Sequence, residues 1–192
     1  MSAFAKVPVW MSVAQFLVWD SGDPYRYELV DGEPHAMAPA SSVHGYLQAE
    51  LGRLINNHLR SRNLPCDAIA NPGVIPNFLP EHNFRVPDLG VTCSPVRPGQ
   101  ATIVDPVLLV EILSPSNQAK TWANVRAYTS IPSVQEILIL RSDRVGAELL
   151  RRAPIGAWPD RTTPITDGML DLQSIDFRVA LAELYARTGL AQ

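Results

Sequence analysis

The segment Val107-Leu-Leu-Val-Glu-Ile-Leu113 limits the folds open to this chain more than any other stretch. Six of its seven residues are strongly apolar, with no alternation between a wet and a dry face. Such a run fits a strand buried on both faces, inside a sheet flanked by helices. Glu111 stands in the middle of it. Burying an isolated carboxylate is costly, so Glu111 must be paired, protonated or bound to a metal. The strand alone leaves open a structural Glu, bonded to an arginine or a backbone amide, and a functional one.

The rest of the chain supplies enough material for such a sheet. Its 192 residues are 46% hydrophobic and 18% charged. This suits one domain with a sizeable core and argues against disorder. No apolar stretch approaches the roughly 18 residues of a membrane span. The segment Met1–Trp10 lacks the long apolar region of a secretory leader, so a cytoplasmic location is expected. Cys66 and Cys93 are far apart and form no CxxC pair, which argues against a zinc site or a disulfide framework.

Pro, Gly and Asn divide the chain into short elements. Ser12 can cap a helix through Val13–Trp19. Tyr25–Val30 and Glu33–Ala38 read as a hairpin around Asp31-Gly32. Ser41 or Ser42 caps a long helix to about Ser61, with Val43, Leu47, Leu51, Leu54, Ile55 and Leu59 at helical spacing. Strands are expected at Cys66–Ala70, Val74–Phe78, Asp88–Cys93, Val107–Leu113, Val134–Leu140 and Ala147–Arg151. Ser116 is placed to cap a helix through Thr129, Pro154–Gly168 reads as a turn-rich arm, and Val179–Arg187 as a last helix. The sum is a mixed α/β fold, a central sheet flanked by helices.

Asp88 opens the strand before Glu111 and precedes it by 23 positions. That separation suits neighbouring strands joined by the loop Ser94–Asp105. Two carboxylates so placed make a seat for Mg²⁺, which binds one or two acids, keeps waters and accepts a phosphate oxygen. The bland alternative for Asp88 is a cap at a strand entry.

Pro87-Asp88 followed by Glu111-Ile-Leu113 resembles the acidic half of the PD-(D/E)XK nuclease signature. The wider set is Tyr27-Glu-Leu-Val-Asp-Gly-Glu33, a Ser-Ser-x-His44 helix start, Val86-Pro-Asp-Leu89, Leu109-Val-Glu-Ile-Leu-Ser-Pro-Ser116 and Ile131-Pro-Ser-Val-Gln-Glu-Ile137. In this order it resembles the Uma-type restriction-endonuclease family over about residues 25–140, within a single domain spanning 1–192. The resemblance implies a restriction-endonuclease-like core, self-association as a homodimer or higher oligomer, and Mg²⁺-dependent (or Mn²⁺-dependent) cleavage of DNA. Residue by residue it makes Asp88 and Glu111 metal ligands, Glu28 the early acidic position and His44 the histidine at the start of the long helix.

Lysine departs from that pattern. Leu113 stands where the simplest form of the signature has Lys, and Asn124 stands where the resembling family usually has one, four residues before Tyr128. The chain holds 14 Arg but only two Lys, Lys6 and Lys120. Lys120 shares a helical face with Asn124 and is the candidate for assisting the transition state. The other class of reading is a catalytically inactive dimeric module that retains the fold and binds nucleic acid.

The remaining candidates have plain structural readings. Glu28 can pair with an arginine, and His44 can serve as a helix-start residue. His35, His58 and His82 share no ligand spacing, and Asp31 and Glu33 read as turn and strand-edge acids. Arg53, Arg60 and Arg62 suit a solvated helix face better than a phosphate-binding one. With a net charge of −3, nucleic acid must be held by a local patch. No aromatic–basic interleaving is visible along the chain, and Trp122 and Tyr128 are expected to pack against the sheet.

Overall fold

The computed structural model describes residues 10–190. Lys6 and most of the segment read against a secretory leader lie outside them. The elements are α1 (Val13–Phe16), β1 (Tyr27–Val30), β2 (Glu33–Ala36), α2 (Ser42–Ser61), β3 (Asp67–Ala70), β4 (Leu89–Thr92), β5 (Pro106–Leu113), α3 (Gln118–Tyr128), β6 (Glu136–Arg141), β7 (Ala147–Arg151), β8 (Thr163–Ile165), β9 (Met169–Leu172), β10 (Phe177–Ala180) and α4 (Leu181–Tyr185). Six strands form one mixed sheet in the order β3-β4-β5-β6-β7-β8. Only β5 and β6 run parallel, and α3 makes the crossover between them.

β5 is buried at every position except half-buried Val107, close to what the apolar run requires. Its period-two alternation divides the interior. Leu108, Val110 and Ile112 meet Leu47, Leu51, Ile55 and Leu59 of α2 and the C-terminal hairpin with α4. Leu109 and Leu113 meet Val125 and Tyr128 of α3 on the other face. Ser41 caps α2 by accepting the His44 N–H at 3.2 Å, which fixes where His44 enters the helix. The hairpin turn has Asp31 and Gly32 both at positive φ, as the Asp-Gly pair predicts. A Cβ on Gly32 would lie 2.3 Å from the Trp10 indole nitrogen, so this turn needs glycine for space as well.

Four expectations change. Val74–Phe78 is not a strand; it keeps a single bridge from Val74 to Arg85, because Pro76 cannot donate to a ladder. A 3₁₀ turn occupies Pro115–Asn117, so α3 begins at Gln118 rather than after position 116, and it ends at Tyr128. The last expected helix, Val179–Arg187, loses its first two residues to β10 and its last two to a turn. Phe177 and Val179 are buried while Arg178 is exposed and pairs with Asp171 across β9, leaving α4 only Leu181–Tyr185.

The fourth correction concerns the cysteines: Cys66 and Cys93 form a disulfide. β3 and β4 pair antiparallel with Asp67 opposite Thr92, so the next residues outward are these two. Their 27-residue separation hides a direct cross-strand adjacency. Among the described residues no helix is long and apolar enough to cross a membrane.

Candidate active site

The β4–β5 register sets Leu89 opposite Val110, and one step further sets Asp88 opposite Glu111. Both carboxylates reach the end of the sheet where α3 crosses it. β1 arrives at the same place because Leu29 and Phe84 exchange two backbone hydrogen bonds, of 2.8 and 2.9 Å. Glu28 is thereby carried into the interior, fully buried. The five residues singled out from sequence, Glu28, His44, Asp88, Glu111 and Lys120, line one cavity of about 60 Å³. That is room for a few waters or an ion.

Each acid is held by specific donors. One Glu28 oxygen accepts from Val86 N–H at 3.0 Å and from Asn124 Nδ2 at 3.1 Å; the other lies 2.8 Å from Lys120 Nζ. Asp88 Oδ2 accepts the Ile112 N–H at 2.6 Å, and Oδ1 lies 3.0 Å from His44 Nε2. Glu111 Oε1 accepts from Tyr128 OH at 2.6 Å and from Asn124 Nδ2 at 3.3 Å. Lys120 is partly exposed, whereas its partner is enclosed.

Three carboxylates in so little space cannot all be charged cheaply. Burial, reinforced by Glu28, pushes the Asp88 carboxyl up to about 7, against the opposing pull of the Ile112 amide and Lys120. Burial together with Asp88 and Glu28 raises Glu111 well above the usual carboxylate range, although Tyr128 and Asn124 pull it down. Burial lowers His44 and so favours its neutral imidazole. Burial, and then the charge of Glu111, raises the Tyr128 phenol, which stays a donor.

Among the described residues no group of three or more His, Cys, Asp or Glu side chains is placed to hold a metal ion. The donor set suits a hard cation all the same. Two raised, facing carboxylates are the kind of anionic site that a divalent ion discharges, and Mg²⁺ takes its other ligands from water and phosphate.

Three contributors were not picked out as site residues from sequence. Asn124 bridges Glu28 and Glu111. Tyr128 holds Glu111 as well as packing on the sheet. Arg85 is buried and donates to Asn124 Oδ1 at 3.0 Å and to Asn83 Oδ1 at 2.8 Å, which orients the Asn124 amide. The spacing of Lys120, Asn124 and Tyr128 by fours along one helix face was the available signal. The residues read as structural behave so. His58 Nε2 contacts the Ile175 carbonyl and His82 Nδ1 that of Met11, while His35 lies exposed near Glu33. Arg53 pairs with Glu50, Arg62 with Asp176, and Asp31 with Asn83.

A family model described as "Uma2: Putative restriction endonuclease" matches residues 13–181. The chain belongs to the Uma2 family. The match extends beyond residues 25–140 and takes in the C-terminal hairpin. An uncharacterized protein of Synechocystis sp. (strain ATCC 27184 / PCC 6803 / Kazusa) is 31% identical over 183 residues, covering 94% of this chain and 93% of that one. The Uma2 fold is also that of a solved structure titled as a "putative nuclease belonging to DUF820", from Anabaena variabilis ATCC 29413. Its TM-score is 0.73 at 17% identity, over 93% of this chain and 99% of that one.

Proposed function

We propose that this Uma2 protein is a metal-dependent DNA endonuclease, with Mg²⁺ or Mn²⁺ held by Asp88 and Glu111. The observation that carries the reading is the pairing of two raised carboxylates with a lysine ammonium at the mouth of the same cavity. When bound, the ion would neutralise charge on the scissile phosphate and make water a better nucleophile.

The chain's own groups supply the rest. Lys120, anchored on Glu28, presents an ammonium to the developing charge on the phosphate. Glu28 holds Lys120 and Asn124 at fixed positions, and Asn124 carries that order to Glu111. Neutral His44 orients Asp88 through Nε2 and can take a proton released at Oδ1. The lysine expected one turn later on α3 is replaced by Asn124, and Lys120 reaches the site from the preceding turn.

Calorimetric titration of Mn²⁺ and Mg²⁺ into wild type and Glu111→Ala tests the metal site, and plasmid nicking tests the chemistry. Binding and nicking are expected for wild type, with both lost in Glu111→Ala. Lys120→Ala should bind the ion and lose orders of magnitude in rate. Undiminished nicking in Glu111→Ala and Asp88→Ala would refute the assignment. Binding of DNA without any metal-dependent turnover would favour the inactive module.

A further inference from the structure

A second and larger cavity, of about 550 Å³, opens on another flank of α3. Lys120 and Asn124 face the carboxylates, while Trp122, Val125 and Arg126 line this second space. Buried Val125 and Leu150 line it together with the half-buried indoles of Trp122 and Trp158. Trp158 is fixed in place: its Nε1 donates to the Thr129 carbonyl at 2.9 Å, and the Arg152 guanidinium sits 4.8 Å over its ring. Exposed Arg126 and Arg161 stand at the rim, and neither has an ion pair or side-chain hydrogen bond among the described residues. Of the two acids that line it, Glu148 is already neutralised by Arg141, and exposed Asp160 is offset by its neighbour Arg161 and by Arg126.

Two indoles beside two unpaired guanidiniums match the chemistry of a nucleotide: a flat ring to stack and a phosphate on either side. The separation in sequence between Trp122 and the Trp158–Arg161 arm is why no aromatic–basic interleaving shows along the chain. We propose that this cavity seats an unstacked base of the substrate strand, with Arg126 and Arg161 on its flanking phosphates. The proposal rests on the nuclease reading and narrows it to nucleic acid with an unpaired stretch, because a base inside a duplex must first be unpaired and unstacked to enter such a seat. α3 would then act as a spacer. Lys120 and Arg126 are six residues apart, about 9 Å of helix.

Tryptophan emission tests this in EDTA, where cleavage cannot occur. Titration with an oligothymidylate of about 12 nucleotides should quench wild-type emission, and a blunt duplex of equal length should bind more weakly. Trp122→Leu should lose much of the quench and bind about tenfold or more weakly. Arg126→Ala/Arg161→Ala removes side chains that hold nothing in the described fold. It should flatten the dependence of log K on log salt by about 1.4, at about 0.7 per single-strand phosphate contact. Unchanged affinity and salt slope in that variant would overturn the proposal. So would quenching by thymidine monophosphate as strong as by the oligomer, which would mark a free-nucleotide site. A wild type that is quenched but never cleaves would refute the nuclease reading and leave the base seat standing. A double variant that binds and cuts like wild type would refute the seat alone.

Discussion

Asp88→Asn should make the metal-free protein more stable, by an amount that grows with pH. Asp88 is 7% exposed, and its carboxyl is pushed from 3.8 up to about 7, chiefly by burial. In the unfolded chain the group ionises at its ordinary value. Between those two points the folded state keeps a proton that the unfolded state has lost. The stability tied to this group is therefore fully present below about pH 4 and is lost as pH rises towards 7. At about 1.36 kcal/mol per pH unit, the interval corresponds to about 4 kcal/mol, constant at higher pH. Asparagine carries no charge at any pH, and its side-chain oxygen can still accept the Ile112 N–H that Asp88 accepts at 2.6 Å. In the variant Glu111 also loses the repulsion of the Asp88 charge, which moves the difference in the same direction.

Urea unfolding in EDTA at about pH 4, 6 and 8 measures the gap directly. It should open from near zero to about 4 kcal/mol in favour of the variant. Excess Mg²⁺ at about a hundred times its Kd should then stabilise wild type by about 2.7 kcal/mol at the highest pH and the variant hardly at all. A gap that stays flat with pH, or a variant less stable than wild type at about pH 8, would refute the argument that this carboxylate is held at an energetic cost.

Two further outcomes follow from neighbouring contacts. Tyr128→Phe removes the 2.6 Å bond that pulls the Glu111 carboxyl down. The pH at which Mn²⁺ affinity is half-lost should therefore move upward, and an unmoved midpoint in a calorimetric pH series would contradict the role given to the phenol. Reducing Cys66–Cys93 opens a loop of 27 residues' separation and should cost roughly 3 kcal/mol, read as a lower urea midpoint in dithiothreitol. Equal midpoints with and without reductant would contradict it.

What could be read from the sequence was whatever is written in local order. The apolar run around Glu111 announced a doubly covered strand, and alternation then sent Leu108 and Leu109 to opposite cores. The Asp-Gly turn and the Ser41 cap are likewise short-range chemistry. Pairing across the fold was not written there. The cysteine bond depends on the β3–β4 register, and the β9–β10 hairpin on Arg178 meeting Asp171. The same limit explains the site. Glu28, His44, Asp88, Glu111 and Lys120 could be named singly, but that Lys120 spans to Glu28, and not to Glu111, depends on how β1 leans on residues 84–86. α3 joins these levels. Its face with Lys120, Asn124 and Tyr128 orders two carboxylates, Glu28 and Glu111, while Trp122 and Arg126 meet an arm from a distant part of the chain. Lys120 reaches Glu28 from one turn before Asn124, and Asn124 bridges Glu28 and Glu111. Lys120 and Asn124 thus act on one shared acid, Glu28, from successive turns of α3.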